Sequence, residues 1–212
     1  GNIIAFFMTL VLGVFYLVNR RFVVTKTKYY SHSLLFLLLS SLLGITADAL
    51  LPHLYHLSGL CIFVLSLYYI CSLLAFSYAC LYLVSRILVN SRTSNYLKQS
   101  NLVILFLVCT YVMLLLLNIP MGILFTLEDG VFTRGPLYGW DVVAYIVSLV
   151  LVLVCYFRKR RYVSRSLYLM LLQLLGVLAL CITLSAILES TRLCSLMLAL
   201  MHLMLYLNFR RV

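Results

Sequence analysis

Seven apolar runs, at roughly 2–18, 33–51, 60–84, 102–127, 140–157, 167–188 and 193–208, take up most of this chain and leave only short polar segments between them. Each is about 16 to 26 residues long, against the ~20 that a helix needs to cross ~30 Å of hydrocarbon. Inside a bilayer the backbone must satisfy its own hydrogen bonds, which leaves only helices or a closed barrel. Barrel strands would alternate polar and apolar residues, and these runs do not. The expected fold is therefore all-α: an integral membrane bundle of seven transmembrane helices in one domain, 1–212, with no Pro/Ser-rich linker or repeat to divide it. The third run stays apolar to about Val89 and should tilt or leave the bilayer.

The charges say which way the bundle sits. Only 10% of residues are charged, against about 25% in soluble chains, and mean hydropathy is +1.14. Fourteen of the 16 Lys and Arg residues follow the first, third, fifth and seventh runs; Arg134 and Arg192 alone fall on the other side. Short loops rich in Lys and Arg stay cytoplasmic, so the N-terminus is expected outside and the C-terminus inside. The net charge of +11 comes from these short clusters, which suit anionic lipid headgroups and not a nucleic acid. No cleavable signal peptide is expected, since Asn19-Arg20-Arg21 stands where a small-residue cleavage site would be needed.

The longest segment on the outer side is the most polar. Glu128 to Tyr145 carries three of the five acids, the only tryptophan and Arg134, punctuated by Gly130, Gly135-Pro136 and Gly139 as a turn-rich loop. Acids on other runs also fall near outer ends: Asp48 and Glu189 join Asp141 there. Three acids from three helices at one depth predict an outward-facing site for a small polar or amphipathic ligand, framed by Asp48, Asp141, Glu189, Arg134, Trp140 and Tyr145. Trp140 is equally suited to anchoring the helix at the interface.

Polar residues within the runs form helical stripes. Ser41, Gly44 and Asp48 share one face, as do Asp141, Tyr145 and Ser148; Ser195, Ala199, His202 and Tyr206 make the cleanest stripe. Small and hydroxyl residues so placed usually pack helices together. Asn118 precedes Pro120, which should kink the fourth helix near its outer end. Seven scattered cysteines show no metal spacing. Cys61 and Cys194 both fall toward the outer surface and could pair, although buried apolar thiols are the commoner state.

Several chemistries are excluded by what is missing. A seven-helix pigment needs a lysine in its last helix, and the only lysines are Lys26, Lys28, Lys98 and Lys159. No HExxH, GxSxG or P-loop pattern occurs. No catalytic residue, metal site or cofactor is expected.

The run from Asp129 to Tyr138 (Asp-Gly-Val-Phe-Thr-Arg-Gly-Pro-Leu-Tyr), then a Tyr145-containing helix, Arg158-Lys159-Arg160-Arg161 and a last span ending Leu205-Tyr206-Leu207-Asn208, resembles the membrane module of GGDEF diguanylate cyclases and sensor histidine kinases of Firmicutes. Asp48 in a Leu/Ile-rich second span fits the same pattern. The resemblance covers nearly the whole chain in layout and about fifteen positions in motif. It implies a multi-pass sensor of the bacterial cytoplasmic membrane, N-out and C-in, feeding a cytoplasmic output domain after the seventh span, with a homodimer expected. No cyclase or kinase sequence is present before Val212. Two other classes remain: a small transporter or channel, which should place polar groups near the midplane, and a structural subunit of a membrane complex.

Overall fold

A computed structural model of the chain describes residues 1–19, 28–53, 58–88, 94–128, 131–159, 168–169, 171–173, 175–176, 179 and 193–209. Six helices and one hairpin are defined in it: α1 (Asn2–Asn19), α2 (Lys28–His53), α3 (Ser58–Ile87), α4 (Ser94–Met121), β1 (Phe125–Glu128), β2 (Val131–Arg134), α5 (Trp140–Lys159) and α6 (Leu193–Phe209). Among the described residues the fold is helical apart from that hairpin and short connecting turns. Four helices, over Lys28–Leu50, Gly59–Ile87, Tyr96–Met121 and Trp140–Lys159, are long and apolar enough to cross a membrane; α1 and α6 are shorter apolar helices. Those residues of the sixth run that are described are also helical.

The helix bounds differ from the apolar runs in a consistent way. α2 begins five residues before the run it carries, and α4 eight, because polar residues can continue a helix that hydropathy does not mark. Hydropathy predicts a fourth helix reaching 127, yet α4 stops at Met121. Gly122 follows at φ 59, the left-handed conformation that ends helices and that glycine adopts without a Cβ penalty. The apolar residues beyond it, Phe125 to Leu127, form β1 instead. Pro120 lies in the last turn of α4, where it helps end the helix and not bend its middle.

α3 is the hub. It packs against α2 along most of its length and also against α4, α5, α6 and β1, while α1 closes against α2 and α6. The α2–α3 seam uses small residues at helical spacing: Ser33 meets Ala75 and Ser40 meets Ser72, with Ala79 one turn on from Ala75, all fully buried. Such residues let backbones approach closely, which matters where lipid gives no hydrophobic drive for helices to meet. The Ser40 and Ser72 hydroxyls bond across this seam at 2.6 Å. Outward faces are apolar, as Phe7, Val11 and Phe15 on α1 and Leu105, Phe106 and Met113 on α4 illustrate.

Helix directions sort the ends. Asn2, Asp48, the hairpin, Trp140 and Ser195 fall at one end, here called the hairpin end. Lys28, Arg86, Lys98, Arg158 and Lys159 fall at the other. There Arg158 lies over the Tyr96 ring, 5.6 Å from its centroid.

Candidate functional site

The polar loop expected between the fourth and fifth runs is a tight antiparallel hairpin, with Phe125 opposite Arg134 and Glu128 opposite Val131. Asp129 and Gly130, the pair between them, are the dipeptide favoured in two-residue hairpin loops. Asn118 welds this hairpin to α4. Its Oδ1 accepts from the Leu124 and Phe125 amides at 2.6 and 3.1 Å, and its Nδ2 donates to the Phe125 carbonyl at 3.0 Å. Three backbone groups just past a helix end are thereby satisfied in a site where water cannot reach them.

The chain leaving the hairpin folds back on the same turn. Gly135 N–H donates to Leu124 O at 2.8 Å and Leu137 N–H to Ile123 O at 2.9 Å. A Cβ on Gly135 would run into the Ile123 backbone, so this approach requires glycine. Across the strands the Thr126 and Thr133 hydroxyls bond to each other. Arg134 places its guanidinium 4.8 Å from the centroid of the Tyr138 ring, a cation–π geometry.

α5 then starts at Trp140. Asp141 sits in its first turn, where an acid favours the helix dipole, and accepts from the Val142 amide at 2.8 Å. It lies within electrostatic reach of Arg134. The Trp140 indole Nε1 is buried without a hydrogen-bond partner among the described residues. Tyr145 is one turn further in and packs edge-on against Phe76 of α3, centroids 4.9 Å apart. It is a core contact of the α3–α5 seam.

Asp48 lies on the other side of α3. It accepts from Asn2 Nδ2 at 3.0 Å; Asn2 Oδ1 accepts from Ser195 Oγ at 2.8 Å; and Ser195 meets the Tyr68 hydroxyl at 3.0 Å. Four helices, α2, α1, α6 and α3, are tied by this knot, buried at Asn2, Ser195 and Tyr68 and half-buried at Asp48. Gly44, one turn before Asp48, makes room for it: a Cβ there would stand 2.7 Å from Asn2 Cγ.

Tyr68 and Tyr69 join the two sides. Their rings pack edge-on at 5.2 Å, and Tyr69 reaches the hairpin, with its ring 5.8 Å from Phe125 and its hydroxyl 3.4 Å from that of Tyr138. A continuous path of contacts thus runs Asp48, Asn2, Ser195, Tyr68, Tyr69, Tyr138, Arg134. Of the six residues expected to frame a site, Arg134, Trp140 and Asp141 stand together at the hairpin. Tyr145 is packed below them, and Asp48 joins only through the path across α3. Glu189 lies outside the described residues, as does the side chain of Cys194.

A second polar cluster lies deeper. His202, two turns along α6 from Ser195, is fully enclosed. Its Nδ1 is 2.7 Å from Leu198 O and its Nε2 faces Ser33 Oγ, which also contacts Ala75 O. The Tyr30 hydroxyl donates to the His202 carbonyl at 3.1 Å. Ser195, Ala199 and His202 are therefore buried on one face of α6, three of the four residues in the stripe that the sequence spacing marks out; Tyr206, the fourth, is half-buried.

Sequence reasoning does not single out Asn2, Ser33, Tyr68, Tyr69 or Tyr138. Asn2 and the adjacent tyrosines stand in apolar runs as polar exceptions, and that is the signal by which they could be found. Among the described residues no group of three or more His, Cys, Asp or Glu side chains could hold a metal ion.

Fold and site together define a helical, membrane-embedded bundle whose buried polar side chains link its helices. No protein-family model, curated protein or solved structure matches the chain.

Proposed function

We propose that this chain is the seven-helix sensing module of a bacterial cytoplasmic-membrane signalling protein, with the hairpin end outside and the C-terminus in the cytoplasm. A small signal from outside or from within the bilayer engages the hairpin end. α6 passes the resulting shift to a cytoplasmic output, a diguanylate cyclase or histidine kinase in the families that the sequence resembles. The observation that carries this reading is the contact path from Arg134 through Tyr69 and Tyr68 to Ser195 on α6, the last helix before the cytoplasm. A ligand offering an acceptor atom beside the hairpin would also satisfy the buried Trp140 N–H. The cationic end suits anionic headgroups of the inner leaflet, and pairing into a homodimer belongs to the same reading.

The test is mechanical coupling. Spin labels at Leu207 on α6 and Phe157 on α5, both exposed, report the distance between the two helices at the cationic end. Tyr69→Ala removes both the ring and the hydroxyl that make the path at the opposite end. A changed distance distribution supports transmission through α6; an unchanged one, in a folded protein, overturns it.

A second reading has one observation in its favour. The Ser40–Ser72 pair puts hydroxyls midway along α2 and α3, where a transporter would need polar groups. Proton or cation flux in proteoliposomes of the purified chain, abolished by Ser40→Ala, would establish that reading over the first.

A further inference from the structure

We propose that His202 is a proton-binding site in the core of the bundle, in which the Ser33 hydroxyl re-aims to accommodate the added proton. The argument is a count of hydrogens. Leu198 O can only accept, so Nδ1, 2.7 Å away, carries a hydrogen. The other ring nitrogen, Nε2, faces Ser33 Oγ, and the same oxygen faces the Ala75 carbonyl. A hydroxyl has one hydrogen to give. With the ring neutral, Ser33 gives it to Nε2, and Ala75 O keeps only the bond from its own helix. With the ring protonated, Nε2–H donates to Ser33 and Ser33 donates to Ala75 O. Only the protonated arrangement turns all three contacts into hydrogen bonds. Both arrangements use the same heavy-atom positions, so the site can take or release a proton by rotating one O–H, with no repacking of a fully enclosed side chain.

The surroundings set when the proton is held. Tyr30 faces the ring from α2, with Tyr16 of α1 and Tyr82 of α3 packed on Tyr30, and Tyr206 lies along α6 itself. These are neutral groups. Arg86 acts on Tyr82 from beyond and opposes a second cation. Asp48 stands 15 residues along α2 from Ser33, about 22 Å away. Among the described residues a charge here meets carbonyl dipoles and no carboxylate, and removing it from water is costly. The site stands whether or not α6 carries a signal.

The experiment uses the full chain in lipid nanodiscs with His32, His53 and His56 replaced by Gln, so that His202 is the single histidine, labelled with ¹⁵N in its ring. Ring nitrogen shifts separate N–H from bare nitrogen between pH 8 and pH 4. The expected result is hydrogen on Nδ1 alone at high pH and on both nitrogens at low pH. Ser33→Ala should lower the protonated fraction at a given acid pH roughly fivefold, because a bond to a charged ring is worth more than one to a neutral ring. If the triple variant does not fold, the unsubstituted chain is used, and His202 is identified as the resonance pair that Ser33→Ala moves. A bare nitrogen persisting to pH 4, a bare Nδ1, or a Ser33→Ala variant that titrates like its parent overturns the proposal.

Discussion

The Asn118 junction and the Asn2 knot lie at the same end of the molecule, and they use the same side chain in opposite ways. Asn118 spends all its hydrogen bonds on backbone, holding Leu124 and Phe125 directly beneath the end of α4. Asn2 spends its bonds on the side chains of Asp48 and Ser195. A backbone partner cannot turn away without moving the chain, so the hairpin is fixed to α4. A side-chain partner can rotate to another rotamer or bond elsewhere, so the α1–α2–α6 contact can be rearranged at low cost. Rigid anchoring therefore belongs to the element that would meet a signal, and adjustable bonding to the helix that would pass it on.

Asn118→Ala should show the largest effect, because it removes three hydrogen bonds to buried backbone groups. A loss of about 3 kcal/mol in an SDS-unfolding titration is expected. Gly44→Ala comes next. Its new Cβ falls on the Asn2 side chain, and displacing it should cost about 1–2 kcal/mol by the same titration. Ser195→Ala should cost about 1 kcal/mol. In a double-mutant cycle with Asn2→Ala most of that should appear as coupling, since the two share one bond. Tyr68→Phe keeps the ring and removes only a hydroxyl at the edge of the knot, so about 0.5 kcal/mol is expected. A Ser195→Ala loss as large as that of Asn118→Ala would erase the distinction between the two regions.

Much of the bundle is legible in the sequence, because hydropathy reports which residues avoid water. The defined helices fall on the expected runs. On α6 the spacing picks out Ser195, Ala199 and His202 as one buried face, since a 3.6-residue period fixes which side chains lie together. Hydropathy misses the hairpin although Asp129-Gly130 is a turn signal: Phe125 and Leu127 are as apolar as a span, and the backbone angle at Gly122 with the Asn118 bonds turns them out of the helix. Asn118 reads as a polar residue within a helix for the same reason. The expected grouping of Asp48 with Asp141 rests on depth alone. Periodicity gives depth and face, but it does not say that α3 stands between α2 and α5. Nor does it point to Asn2, whose role follows from α1 lying against α6, a contact between residues 193 positions apart.

That separation has a consequence for how the protein is made. Asn2 leaves the ribosome long before Ser195, and its bond to Asp48 can form once α2 has entered beside α1. Its bond to Ser195 must wait for α6. Until then the α1 face that α6 will cover lacks its partner, and the Asn2 side-chain oxygen must take its donor from water or headgroups at that end. Closure of the helix ring is thus a late event of long sequence separation, the slow kind of contact in folding. A ribosome paused before Leu193 would hold a chain with its largest seam, α2 on α3, already formed and α1 still waiting for a partner.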